Sequence, residues 1–100
     1  MSRYYDRRGE PIGIMDWAAR LKDPEVKGVA QTQVGDLLVS TVWLGLDHNL
    51  VGGLPLIFET MVFDGDHNPA SEGQSRYSTE AQAVQGHDTL VAMLKAKALP

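Results

Sequence analysis

The chain contains no cysteine, which excludes disulfides, thiolate metal sites and a cysteine nucleophile and fits a reducing compartment. It has no run approaching the ~20 apolar residues of a membrane-spanning helix, and MSRYYDRRGEP lacks the apolar stretch of a secretory signal. A soluble cytoplasmic protein, with no membrane partner, is expected. Basic residues are few, with 9 Lys and Arg against 13 Asp and Glu and a net charge of −4. Apart from Arg3, Arg7 and Arg8 they are scattered, so no basic stripe exists to neutralise several phosphates, and nucleic acid is not expected as a partner. Also missing are a glycine-rich phosphate loop, a G-x-S-x-G elbow, an H-E-x-x-H pair and a Walker sequence. The common enzyme signatures are absent, and no cofactor or metal is expected.

What is present suits one folded domain. Of 100 residues, 43% are hydrophobic and 22% charged, enough apolar surface for a single core. Residues 3 to 12, RYYDRRGEPI, read as a hairpin or extended arm with Gly9 in its turn. IMDWAARL then places Ile14, Trp17, Ala18 and Leu21 at helical spacing, and Pro24 marks a point by which that helix has ended. Residues 26 to 34 read as a strand, Gly35-Asp36 as a type II′ hairpin turn, residues 37 to 46 as a second strand, and LIFETMVF as a third. DGDHNPASEGQ reads as a polar loop, followed by a short edge strand at Arg76 to Ser78. Thr79 and Gln82 form a capping box, and a helix over 79 to 98 carries the stripe Ala83, Val84, His87, Leu90, Val91, Leu94 and Ala98. The expected fold is therefore α+β. An antiparallel meander of three or four strands follows a short N-terminal helix, and a long C-terminal helix packs on it. The same α-β-β-β-α order occurs in double-stranded-RNA-binding domains, but those begin the last helix with a lysine cluster, whereas this one begins STEAQAVQ.

Strand alternation makes both faces of this sheet apolar. Leu38, Val42, Leu44, Ile57, Met61 and Phe63 share one face, while Val39, Trp43, Phe58 and Val62 share the other. An antiparallel sheet wetted on one side shows clean polar alternation instead, so each face needs a cover. The helices offer too little, and a second copy of the chain or another protein is the expected remainder.

A few residues stand out as candidates for chemistry or contact. Asp47-His48-Asn49 repeats as Asp66-His67-Asn68, both with metal-ligating or acid–base residue types. The copies follow antiparallel neighbouring strands, so they fall at opposite ends of a hairpin and cannot share one ion; turn formation explains both. Glu59 lies mid-strand among apolar residues, where a carboxylate needs a partner, either an arginine such as Arg20 or a ligand. His87 lies on the packing face of the last helix and meets Glu59 if that helix covers the same face. Val42 and Trp43 are candidate interface residues. Gly28, Gly45 and Gly86 mark close backbone approach or a bulge, and clustering of Asp36, Asp64, Asp66 and Glu72 would imitate a phosphate backbone.

RYYDRRGEPI, DWAARL, VAQTQVG, STVWLGLDHN, IFETMVF and RYSTEAQAVQGH together resemble small uncharacterised proteins encoded by actinobacterial phages, of the mycobacteriophage type, and by related prophages. The resemblance spans most of the chain, with STVWLGLDHN and IFETMVF its most specific parts. It implies an accessory role in the host bacterial cytoplasm and carries no catalytic residues. The reading that follows is a non-enzymatic protein that binds a host or phage protein, or itself as a homodimer. A small enzyme or ligand-binding domain using Glu59, His87 or His48, and an acidic nucleic-acid mimic, are the alternatives.

Overall fold

A computed structural model describes residues 3 to 98, apart from the side chain of Glu72. Tyr4–Tyr5 (β1) and Pro11–Ile12 (β2) pair as an antiparallel hairpin. One side chain closes its loop. Asp6 Oδ1 accepts from the backbone N–H groups of Arg8 and Glu10, both at 2.9 Å, while Gly9 takes the left-handed φ of 86° that glycine tolerates without a Cβ clash.

Ile14–Leu21 forms the first helix (α1). Pro24 does more than follow it, because it opens a second, one-turn helix, Pro24–Lys27 (α2), at a position where a missing N–H costs nothing. Asp23 caps that turn by accepting from the Glu25 N–H at 3.0 Å. This short helix takes two residues from the start of the strand expected at residue 26.

Four strands make the main sheet: Gly28–Val34 (β3), Leu37–Trp43 (β4), Phe58–Phe63 (β5) and Pro69–Tyr77 (β6), antiparallel throughout and in sequence order. In the Gly35-Asp36 turn only the glycine has positive φ, at 59°, which is the type II′ pattern. The central register sets Trp43 opposite Phe58 and Thr41 opposite Thr60. The fourth strand differs from expectation. Residues 69 to 77 form nine residues of strand, where a loop and a three-residue edge were expected. Pairing with β5, from Phe58 opposite Tyr77 to Phe63 opposite Pro69, imposes strand geometry on a turn-rich sequence.

Glu80–Ala98 is the long helix (α3). Its start is a reciprocal cap, with Thr79 Oγ1 accepting from the Gln82 N–H at 3.1 Å and Gln82 Oε1 accepting from the Ser78 and Thr79 N–H groups. Ala83, His87, Val91 and Leu94 are its buried residues. Val84, expected on that stripe, is 41% exposed, and Ala98 is exposed as well.

The core lies on one side of the sheet. Val91 and Leu94 pack on Val34, Val39 and Val62, while Ala83 joins Trp43, Ile57 and Phe58. Around this second cluster gather Tyr5 and Ile12 from the hairpin, Trp17 and Leu21 from α1, and Val26 from α2. Two glycines admit this packing. A Cβ on Gly45 would strike the Trp43 and Trp17 rings, and one on Gly86 would strike the Tyr77 ring. Trp43 and Trp17 each donate a ring N–H to the backbone, to Tyr5 O at 3.1 Å and Leu44 O at 2.8 Å, so neither aromatic leaves a polar atom stranded in the core.

Candidate functional site

All three helices serve the same face, and this determines what the other face becomes. Residues directly opposite in the register share a side of the sheet, so the second face carries Leu38, Ser40 and Val42 from β4 and Glu59, Met61 and Phe63 from β5. Leu38, Val42, Met61 and Phe63 are each partly exposed, and none belongs to either core cluster. A shallow concavity of about 300 Å³ lies over this face, bounded by Lys27, Ser40, Val42, Leu44, Glu59, Met61 and Phe63. The edge strands supply its rim: Gln31 and Gln33 lie opposite Ser40 and Leu38, and Gln74 and Arg76 lie opposite Met61 and Glu59. An apolar centre with an amide and cationic rim is the anatomy of a protein contact surface.

Among the described residues Glu59 is the carboxylate lining the concavity on this face. It is 9% exposed, and its Oε2 accepts from Gln74 Nε2 and Arg76 Nε, both at 3.0 Å. The partner is thus the cross-strand neighbour Arg76 rather than Arg20, which pairs with Asp16 at 2.8 Å on its own helix. The second oxygen, Oε1, makes no bond within the described chain and remains an acceptor at the concavity.

His87 sits on the opposite face, so the two candidate titratable groups do not meet. Its Nδ1 lies 2.7 Å from Thr41 Oγ1 and its Nε2 lies 2.9 Å from Thr32 Oγ1; Thr41 in turn lies 2.5 Å from Thr60 Oγ1. Two threonine hydroxyls, each able to donate or accept, therefore engage both ring nitrogens of a histidine that is 2% exposed, and the third, Thr60, backs Thr41. Burial holds its pKa below the ordinary 6.5, against a smaller opposing pull from Asp88. His48 is in neither place, on the loop between β4 and β5, where its backbone N–H donates to Leu56 O at 3.1 Å. Trp43 is wholly buried on the helix side, which removes it from the candidate interface and leaves Val42 on the open face.

The repeated Asp-His-Asn triplets occupy unlike positions in their loops. In the first, Asp47 Oδ1 accepts from the N–H groups of Asn49 and Leu56, holding the loop base. In the second, the clamp is Asp64, whose Oδ1 accepts from Asp66 and Asn68, with Asp64 N–H returning to Asn68 O. That second loop matches the Asp6–Glu10 loop bond for bond, since Asp6 accepts from Arg8 and Glu10 and its N–H returns to Glu10 O. His67, with φ 65°, stands where Gly9 stands. The structural repeat is therefore Asp-x-x-Gly/His-x, a signal visible in DRRGE and DGDHN, which the triplet obscured. Among the described residues no group of three His, Asp or Glu side chains forms a metal site. Asp36 lies beside Gly65, about 4 Å from the Cβ a substitution there would add, but Asp64 is engaged with backbone amides and the Glu72 side chain lies outside the described residues. Among the described residues no helix is long and apolar enough to cross a membrane. No family model, curated protein or solved structure matches the chain.

Proposed function

We propose that this chain is a non-catalytic interaction protein whose binding surface is the uncovered face of its sheet. The observation that carries the reading is the asymmetry of cover: every helix packs on the Val39, Thr41 and Trp43 side, and Leu38, Val42, Met61 and Phe63 remain partly exposed on the other. Soluble monomers rarely leave a contiguous apolar surface unused. The partner is a protein segment presenting apolar side chains to this band and a hydrogen-bond donor to Glu59 Oε1. A phage-encoded accessory role in a bacterial host belongs to this proposal and rests on the sequence resemblance alone.

An enzyme reading is less favoured because Glu59, His87 and His48 lie on three separate parts of the fold, and His87 has both ring nitrogens engaged. The test is affinity capture from a bacterial lysate with the wild type and with Val42→Glu. A protein retained by the wild type and lost with the variant supports the open face. Equal recovery by both, with the variant folded by circular dichroism, contradicts it.

A further inference from the structure

The two edges of the main sheet are unlike. β6 has features that discourage further pairing: Pro69 has no N–H to offer, the ladder shifts register between Met61 and Phe63, and Arg76 stands among its residues. β3 has none of these between Ala30 and Val34. Its one irregularity lies earlier, between Gly28 and Ala30, so Ala30, Gln31, Thr32, Gln33 and Val34 form a regular, uncharged, proline-free edge. Among the described residues only β4 pairs with it. Its outer row of N–H and C=O groups lacks a strand partner, and the ligand such a row takes is an extended backbone.

The sequence of that edge identifies which backbone it fits. Read about Thr32, the five residues are a near-palindrome in chemical character. Antiparallel pairing with a second copy about a two-fold axis at Thr32 sets Thr32 against Thr32, Gln31 against Gln33, and Ala30 against Val34. Every cross-strand pair is then like with like in polarity, amide on amide on the open face and apolar on apolar on the helix face, and no charges of the same sign oppose one another. The exposed side chains Gln31 and Gln33 stand on the open face, opposite Ser40 and Leu38 within the chain, while Thr32 reaches His87 on the other side.

We propose that β3 pairs with β3 of a second copy of this chain, antiparallel and centred on Thr32, joining two four-stranded sheets into one of eight strands. A two-fold axis perpendicular to the sheet puts both open faces on the same side. The contact surface of the proposed function then becomes one continuous platform twice as wide. That consequence rests on the open-face reading, whereas the pairing itself does not.

Two double variants test it through their charge pattern. In the proposed register, Gln31→Lys with Gln33→Lys sets lysine against lysine twice, whereas Gln31→Lys with Gln33→Glu sets lysine against glutamate twice. Both alter exposed positions of the monomer alike. Sedimentation of the full chain at high micromolar concentration should show a dimer for the wild type. The doubly basic variant should weaken it by roughly tenfold, and the opposite-charge variant should keep or tighten it. A wild type that sediments as a monomer throughout, or two variants that behave alike, overturns the proposal. So does a dimer that Val42→Glu dissolves and the doubly basic variant spares, since that dimer is built on the face. Loss of lysate capture in Val42→Glu with an unchanged dimer separates the fate of this inference from that of the open-face reading.

Discussion

The two faces of one sheet are built from alternate residues of the same strands and have had opposite outcomes. On the helix side Val39, Thr41, Trp43, Phe58, Thr60 and Val62 are each at most 1% exposed, and even the polar ones are bonded through His87. On the other, apolar residues one step along the chain stay partly exposed. Hydrophobicity is similar on both sides. What differs is that the helices and the N-terminal hairpin all pack against one side. An apolar face in the sequence therefore marks surface that needs covering, without saying whether the chain itself supplies the cover.

The largest expected effects test that contrast through stability. Trp43→Ala should cost about 3–5 kcal/mol, because it empties a site filled by the hairpin, α1 and α3, and urea denaturation would read it directly. Met61→Ala on the open face should cost no more than about 1 kcal/mol, since a partly exposed side chain loses less burial and leaves no closed cavity. Equal losses at the two positions would remove the distinction between the faces.

The buried polar network sharpens the contrast through pH. The imidazole of His87 titrates below 6.5 in the folded chain and at about 6.5 when unfolded, so the unfolded state binds the proton more readily. Stability should hold above pH 6.5 and fall as pH drops through the window between that value and the lowered folded one. Melting temperatures across this range should show the slope in the wild type and a shallower one in His87→Gln. An unchanged slope in the variant would move the effect to other groups.

Smaller effects are expected in the two matched loops. Asp64→Ala and Asp6→Ala each remove an acceptor for two backbone amides, and each should cost about 1 kcal/mol. His67→Gly should stabilise by up to ~1 kcal/mol, because the left-handed conformation is strained for histidine and free for glycine, less the added chain entropy. Thermal melts resolve both, and destabilisation by His67→Gly would mean that the imidazole makes a contact outweighing the strain.

Much of this was legible in local chemistry. The cap at Thr79 and Gln82 and the II′ turn at Gly35 follow from residues whose neighbours in sequence fix their geometry, and the tight approaches at Gly45 and Gly86 from glycines placed inside expected elements. β6 was legible only at its end, where Arg76 to Ser78 read as an edge strand; PASEGQS has the composition of a turn, and its extended form comes from pairing with β5. The side on which the helices pack was not legible, since both faces offered similar apolar area. Glu59 was legible as a carboxylate needing a partner, but Arg76 was missed because the edge strand expected to begin there carried no register that set it opposite Glu59.

If the protein binds through its open face, that face is where it is touched in the cell. A photoreactive amino acid placed at Met61 on that face, or at Met93, which is 57% exposed on the helix side, can report contact inside a bacterial cell. Position 61 should give a discrete heavier adduct after irradiation and position 93 none, with mass spectrometry identifying the captured chain. Adducts from position 93 alone, or the same adducts from both, would contradict it.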